Sequence, residues 1–103
     1  MSQEEIKVEI CQHALGVCNN NRNAMLPQVF ESIENQLNWL IAYFKGESCD
    51  RQKLFELTFG HFAAREIDPR EKEVVEAFNR AFYVAERTRQ GLKLDLNVLG
   101  IDS

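Results

Sequence analysis

A chain of 103 residues, 45% hydrophobic and 27% charged with a net charge of −4, has the make-up of one ordinary globular domain and is too apolar for a disordered segment. No apolar run approaches the roughly eighteen residues that a membrane-spanning helix needs. No Lys/Arg cluster is long enough to neutralise a phosphate backbone, so nucleic acid and membrane are both set aside as partners. The start, MSQEEIKVEI, is acidic and lacks the basic-then-apolar order of a secretory leader, so a cytoplasmic location is expected.

Four amphipathic helices are predicted in chain order. Ser2-Gln-Glu-Glu5 has the spacing of a capping box, and Ile6, Ile10, Ala14 and Val17 then recur on one helix face as far as the loop-favouring run 19–23. Pro27 suits the first turn of a second helix with the stripe Val29, Ile33, Leu37, Leu40, Ile41 and Phe44, and Gly46 suits its C-terminal end. Ser48 or Asp50 would cap a third helix that places Leu54, Phe55, Phe59 and Phe62 on one broad side. Gly60 inside it lowers helix propensity by about 1 kcal/mol relative to Ala, which close packing of a neighbouring helix would explain. Pro69 should end that helix, with Asp68, Pro69 and Glu71 as cap, first position and capping-box partner of a fourth. The fourth stripe is Val74, Val75, Phe78, Ala81, Phe82 and Ala85, and Gly91 is expected to stop it in the left-handed conformation. Beyond Gly91, Leu92, Leu94, Leu96 and Val98 alternate with polar residues, the period of an extended segment that seals the end of the bundle. The expected fold is therefore all-α: a single domain over residues 1–103, a small antiparallel bundle of about four helices with an extended C-terminal tail.

The chain offers no convincing catalytic set. Cys11, His13 and Cys18 come nearest to a metal pattern, but side chains two apart on a helix diverge. His61 has no Ser or Cys within a helical turn, and no glycine-rich loop follows a strand. No enzyme activity, cofactor or metal is expected. Cys11 and Cys18 lie about 10 Å apart along one helix, too far for a disulfide, and read as partly buried; with Cys49 they read as reduced thiols.

Two surfaces are candidates for binding a partner. Trp39 and Tyr43 sit off the main stripe of the second helix beside Ser32 and Gln36, and they are residue types that anchor interfaces; a second buried flank of a long helix is the competing reading. Tyr83 and Arg87 fall opposite Phe78 and Phe82, joined by Glu76 and Arg80, on a face that is otherwise simply solvated. Glu66 and Arg89 project toward the core near helix ends, where a bidentate pair would join the third helix to the fourth.

The segments LTFGHFAAREID (57–68) and AFYVAERTRQGLKLDL (81–96), with ENQLNWL (34–40) before them, resemble the immunity proteins of type VI secretion NAD(P)+ glycohydrolase effectors. The resemblance spans roughly residues 34–96. It implies a small, all-helical, cytoplasmic protein without activity of its own, whose partner is the toxin domain of a cognate effector and whose binding blocks the NAD+-hydrolysing site. An acidic chain suits a cleft built for dinucleotide phosphates, with Glu31, Glu34, Glu73 and Glu76 as candidate plugs. The alternative is a non-catalytic helical adaptor or a self-associating regulator, in which the Trp39 and Tyr43 flank joins two copies of the free chain.

Overall fold

The computed structural model describes residues 3–24, 26–47, 51–57, 67, 68, 70–95 and 99. Among the described residues three α-helices carry the fold: α1 (Gln3–Asn20), α2 (Pro27–Phe44) and α3 (Lys72–Arg89). Short 3-10 turns occupy Arg22–Ala24 and Arg51–Glu56. The all-α class expected from periodicity is what is found. Most of the expected third helix, with Gly60, His61 and Glu66, lies outside the described residues, as do Ser2, Cys49, Pro69, Leu96 and Val98.

Both α2 and α3 pack against α1. The start of α1 meets the ends of the other two helices, because Lys7 reaches Phe44 and Gln3 reaches Leu94, while His13 lies beside Glu73 and Ala77 near the start of α3. Thus α1 runs antiparallel to both neighbours. Serving two helices at once, it buries a broad face: Ile6, Lys7, Cys11, Ala14, Val17 and Cys18. Cys11 and Cys18, expected to be partly buried, are completely buried, and Ile10 is only half-buried. Small, soft thiols allow closer approach than a β-branched residue would. α2 contributes Val29, Ile33, Leu37, Leu40 and Phe44 of its predicted stripe, while Ile41 is only half-buried. α3 buries Val74, Ala77, Phe78, Ala81, Val84 and Ala85, a face turned toward its small residues, so Val75 and Phe82 are only half-buried.

Two helix ends match expectation. Gly46 and Gly91 have φ of 84° and 73°, and each closes a double-bonded left-handed cap. At the first, Gly46 N–H donates to the Tyr43 carbonyl (3.1 Å) and Glu47 N–H to that of Ala42 (2.9 Å); at the second, Gly91 N–H donates to Thr88 (3.1 Å) and Leu92 N–H to Arg87 (2.9 Å).

Two local expectations fail. Residues 51–56 form a 3-10 turn, in which positions three apart eclipse, so Leu54 and Leu57 go inward and Phe55 is left 57% exposed. The helix expected to start at Asp68 starts instead at Lys72, with Glu71 at the N-cap and no side-chain cap. Asp68 closes a tight turn: its Oδ1 accepts from Arg70 N–H (2.9 Å) and its Oδ2 from Arg70 Nη2 (2.8 Å). The hydrogen bonds from Arg70 hold the Asp68 carboxyl below its ordinary range.

Burial makes the two core thiols inert. It pushes Cys11 up to about 12 and, with a further push from Glu34, Cys18 up to about 11. Both cysteines should therefore resist thiol reagents in the native protein, with peptide mapping finding them labelled only after unfolding. Alkali should destabilise the fold. Above the ordinary thiol value of 9.0 the unfolded chain releases protons that folded Cys11 keeps until about 12. Stability should fall across that window by at most about 1.4 kcal/mol per pH unit on account of Cys11, and Cys11→Ala should remove that slope.

Candidate partner interface

The end of the bundle where α1 begins and α2 and α3 finish gathers the most chemistry. Trp39 and Tyr43, one turn apart on α2, stack with ring centres 5.2 Å apart. Both are half-buried and lie against the core, so the flank is partly an inner wall and partly surface. Lys53 of the 3-10 turn places its ammonium 5.6 Å from the Trp39 ring centre. Beside it, the Ser32 hydroxyl accepts from Gln36 Nε2 at 3.0 Å, stitching the same flank.

Arg51, two residues before Lys53, was not singled out by its sequence context. Its Nη2 donates to the carbonyls of Thr88 (3.2 Å) and Arg89 (3.0 Å), so a cation caps the C-terminal end of α3 from a distant part of the chain. The Arg51→Ala variant should lose about 1 kcal/mol in a urea titration. Its only sequence-level sign is an Arg adjoining a helix-ending region, which does not say which helix it will meet.

Arg89 does not extend freely into the core. Its Nη2 lies 3.2 Å from Glu86 Oε1, and its guanidinium sits 5.8 Å from the Phe55 ring centre. The expected pair with Glu66 involves a residue outside the described ones. Lys7 was likewise missed. It is 7% exposed, bonded to Glu4 Oε1 at 3.2 Å and placed 5.4 Å from the Phe44 ring centre. The i,i+3 acid before it was the available signal. Gln3, Lys7, Tyr43, Arg51, Leu92 and Lys93 line a shared cleft of about 460 Å³ at this end.

On the outer face of α3, the side chains expected to point outward are engaged with the chain's own tail. Tyr83 and Arg87 are half-buried; the Tyr83 hydroxyl accepts from Asp95 N–H (3.1 Å) and Arg87 Nε donates to the Lys93 carbonyl (2.8 Å). Leu94 N–H donates to Gln3 Oε1 (2.9 Å), and Leu94 and Leu99 are buried. Leu92, expected to seal the bundle with Leu94, is instead 45% exposed. The left-handed Gly91 turns the chain at the end of α3, so that Leu92 stays outward and Leu94 is the first of these leucines to go inward. Glu76 stays exposed in an ion pair with Arg80 at 3.1 Å. It lines, with Val75, Tyr83 and Leu99, a second open cleft of about 530 Å³.

The residues of the weak metal pattern diverge, since Cys11 and Cys18 face the core and His13 is exposed. Among the described residues, no three His, Cys, Asp or Glu side chains gather in a way that could hold a metal ion.

A model of the Tsi6 family matches residues 6–87. The chain is 39% identical over 69 residues to the "Immune protein Tsi6" of Pseudomonas aeruginosa strain PAO1, a match covering 67% of this chain and 73% of that protein. No solved structure matches it.

Proposed function

The chain belongs to the Tsi6 family of immunity proteins, and from that premise we propose that it binds the toxin domain of a cognate type VI secretion effector and silences it. The observation that carries the proposal is the family match from Ile6 to Arg87, which takes in nearly all of α1 and α3 and the whole of α2. A neutralising protein needs a rigid, preorganised surface and no reacting group of its own. The three described helices around one core supply such a surface. The finer reading, supported by the resemblance of AFYVAERTRQGLKLDL to immunity proteins of this class, is that the toxin is an NAD(P)+ glycohydrolase and that binding covers its active site. Such a toxin consumes a cytoplasmic dinucleotide, so the inhibitor belongs in the same compartment. No helix among the described residues is long and apolar enough to cross a membrane.

The test is assembly. Mixed with the toxin domain encoded beside it, the chain should elute as a single one-to-one species by size-exclusion chromatography with light scattering. Two separate peaks at micromolar concentration, with a concentration-dependent dimer of the chain alone, would favour the self-associating regulator.

A further inference from the structure

The chain after α3 is held by its backbone. Gln3 Oε1 accepts from Leu94 N–H (2.9 Å), the Tyr83 hydroxyl accepts from Asp95 N–H (3.1 Å), and Arg87 Nε donates to the Lys93 carbonyl (2.8 Å). Leu94 and Leu99 are buried, while Leu92, Lys93 and Asp95 stay exposed. Leu99 shares a cleft with Val75 and Tyr83 of α3. Consecutive main-chain groups bonded by side chains, with separated leucines buried beside them, are the elements of a peptide-binding groove, and the peptide here is the chain's own. Two helices, α1 and α3, form the seat. Only Gln90, Gly91 and Leu92 separate the end of α3 from the first bonded tail residue, Lys93.

That joint can open without losing a backbone hydrogen bond. In the left-handed cap Gly91 N–H donates to the Thr88 carbonyl and Leu92 N–H to that of Arg87. Were α3 to continue as regular helix, Gly91 N–H would donate to Arg87 and Leu92 N–H to Thr88, four residues back in each case. The same two donors and two acceptors serve both forms, and only the pairing changes. Opening therefore costs the tail's own contacts and at most the solvent-exposed cap of Arg51 on Thr88 and Arg89. A second copy whose tail is also released offers the tail contacts back.

We propose that the seat made by Gln3, Tyr83 and Arg87 is an exchange site, in which the tail of a second copy replaces the chain's own and two chains close reciprocally into a two-fold dimer. The exchange concerns the free chain and does not rest on the immunity reading. At micromolar concentration the chain's own tail holds the seat, because so short a tether gives it an effective concentration in the millimolar range. Gly91 sets the balance. Its φ is 73° and nothing lies within 4 Å of where a Cβ would sit, so Gly91→Ala strains the closed turn without a clash and favours the continued helix.

Sedimentation velocity of the full chain from about 10 µM to about 1 mM, a range that spans the tether's effective concentration, tests the exchange. Wild type should be monomeric at the low end. Gly91→Ala should dimerise at concentrations lower than wild type by about tenfold or more, since each dimer relieves two strained turns. Mixing identifies the contact. In the Gly91→Ala background, Tyr83→Phe with Arg87→Ala weakens the seat and spares the tail, while Leu94→Ala weakens the tail and spares the seat. With thermal melts establishing that each is folded, each alone should stay monomeric, and together they should form a one-to-one heterodimer. A Gly91→Ala variant that dimerises no more readily than wild type would overturn the exchange. So would a Gly91→Ala dimer that persists when its seat and tail are both weakened, because the copies would then meet elsewhere. Either failure leaves toxin neutralisation untouched.

Discussion

Phe78→Ala should cost the fold about 3–5 kcal/mol, the usual range for an aromatic side chain removed from a packed core. Phe78 is the largest fully buried side chain among the described residues, 0% exposed, and it lies on the α3 face between Ala77 and Ala81. Those alanines bring the α3 backbone close to α1, so the ring fills space that neither can refill. A domain of this size has roughly 5–15 kcal/mol of stability in all, so the variant should be near its unfolding midpoint in conditions where the wild type is fully folded. Urea titration followed by circular dichroism reads the change. A loss under about 1 kcal/mol would mean that the core around Phe78 relaxes freely and that α3 does not dock as described.

Leu94→Ala should cost about 2–3 kcal/mol, near the low end for a buried leucine because the site is at the edge of the core. The residue is 6% exposed, and its amide donates to Gln3 Oε1, so it ties the chain after α3 to the first turn of α1. Its neighbours Lys93 and Asp95 are held by Arg87 and Tyr83. Undocking Leu94 should release all three bonds together, and amide hydrogen exchange at Leu94 and Asp95 should accelerate along with the loss of stability. This segment lies beyond residue 87, where the family match ends, so the result also decides whether the tail is part of the folded unit. Unchanged stability and exchange would make the tail an appendage.

Much of the fold was legible because its signals are local. Gly46 and Gly91 marked helix ends that only a left-handed residue could make, and the period of Val29, Ile33, Leu37, Leu40 and Phe44 fixed the buried face of α2. The misreadings share a cause. Ile10 outranked Cys11 on hydrophobicity, yet α1 must fit two neighbours and so buries its smaller side chains. Phe55 was assigned inward on a 3.6-residue period, and a 3-10 turn over 51–56 turned it outward. Asp68 carried the marks of a helix cap, but its carboxylate was taken by Arg70 two residues away.

The candidate site was less legible, since its parts come from four separate stretches. Trp39 and Tyr43 could be picked out as aromatics beside the main stripe. That Arg51 would cap α3, that Lys53 would cover Trp39 and that the tail would occupy Tyr83 and Arg87 depends on how distant segments meet. Composition pointed to carboxylates as the contacts, because the chain is acidic overall. Of the candidates Glu31, Glu34, Glu73 and Glu76, the structure leaves Glu31, Glu73 and Glu76 exposed and Glu34 half-buried, and it pairs Glu76 with Arg80.

The central claim, that this chain neutralises an NAD(P)+-hydrolysing toxin, is tested most directly by titrating it into the toxin domain encoded beside it and following NAD+ consumption. The account predicts a linear fall to no detectable hydrolysis at one equivalent, as for tight one-to-one inhibition. Full hydrolysis in the presence of excess folded chain would contradict it.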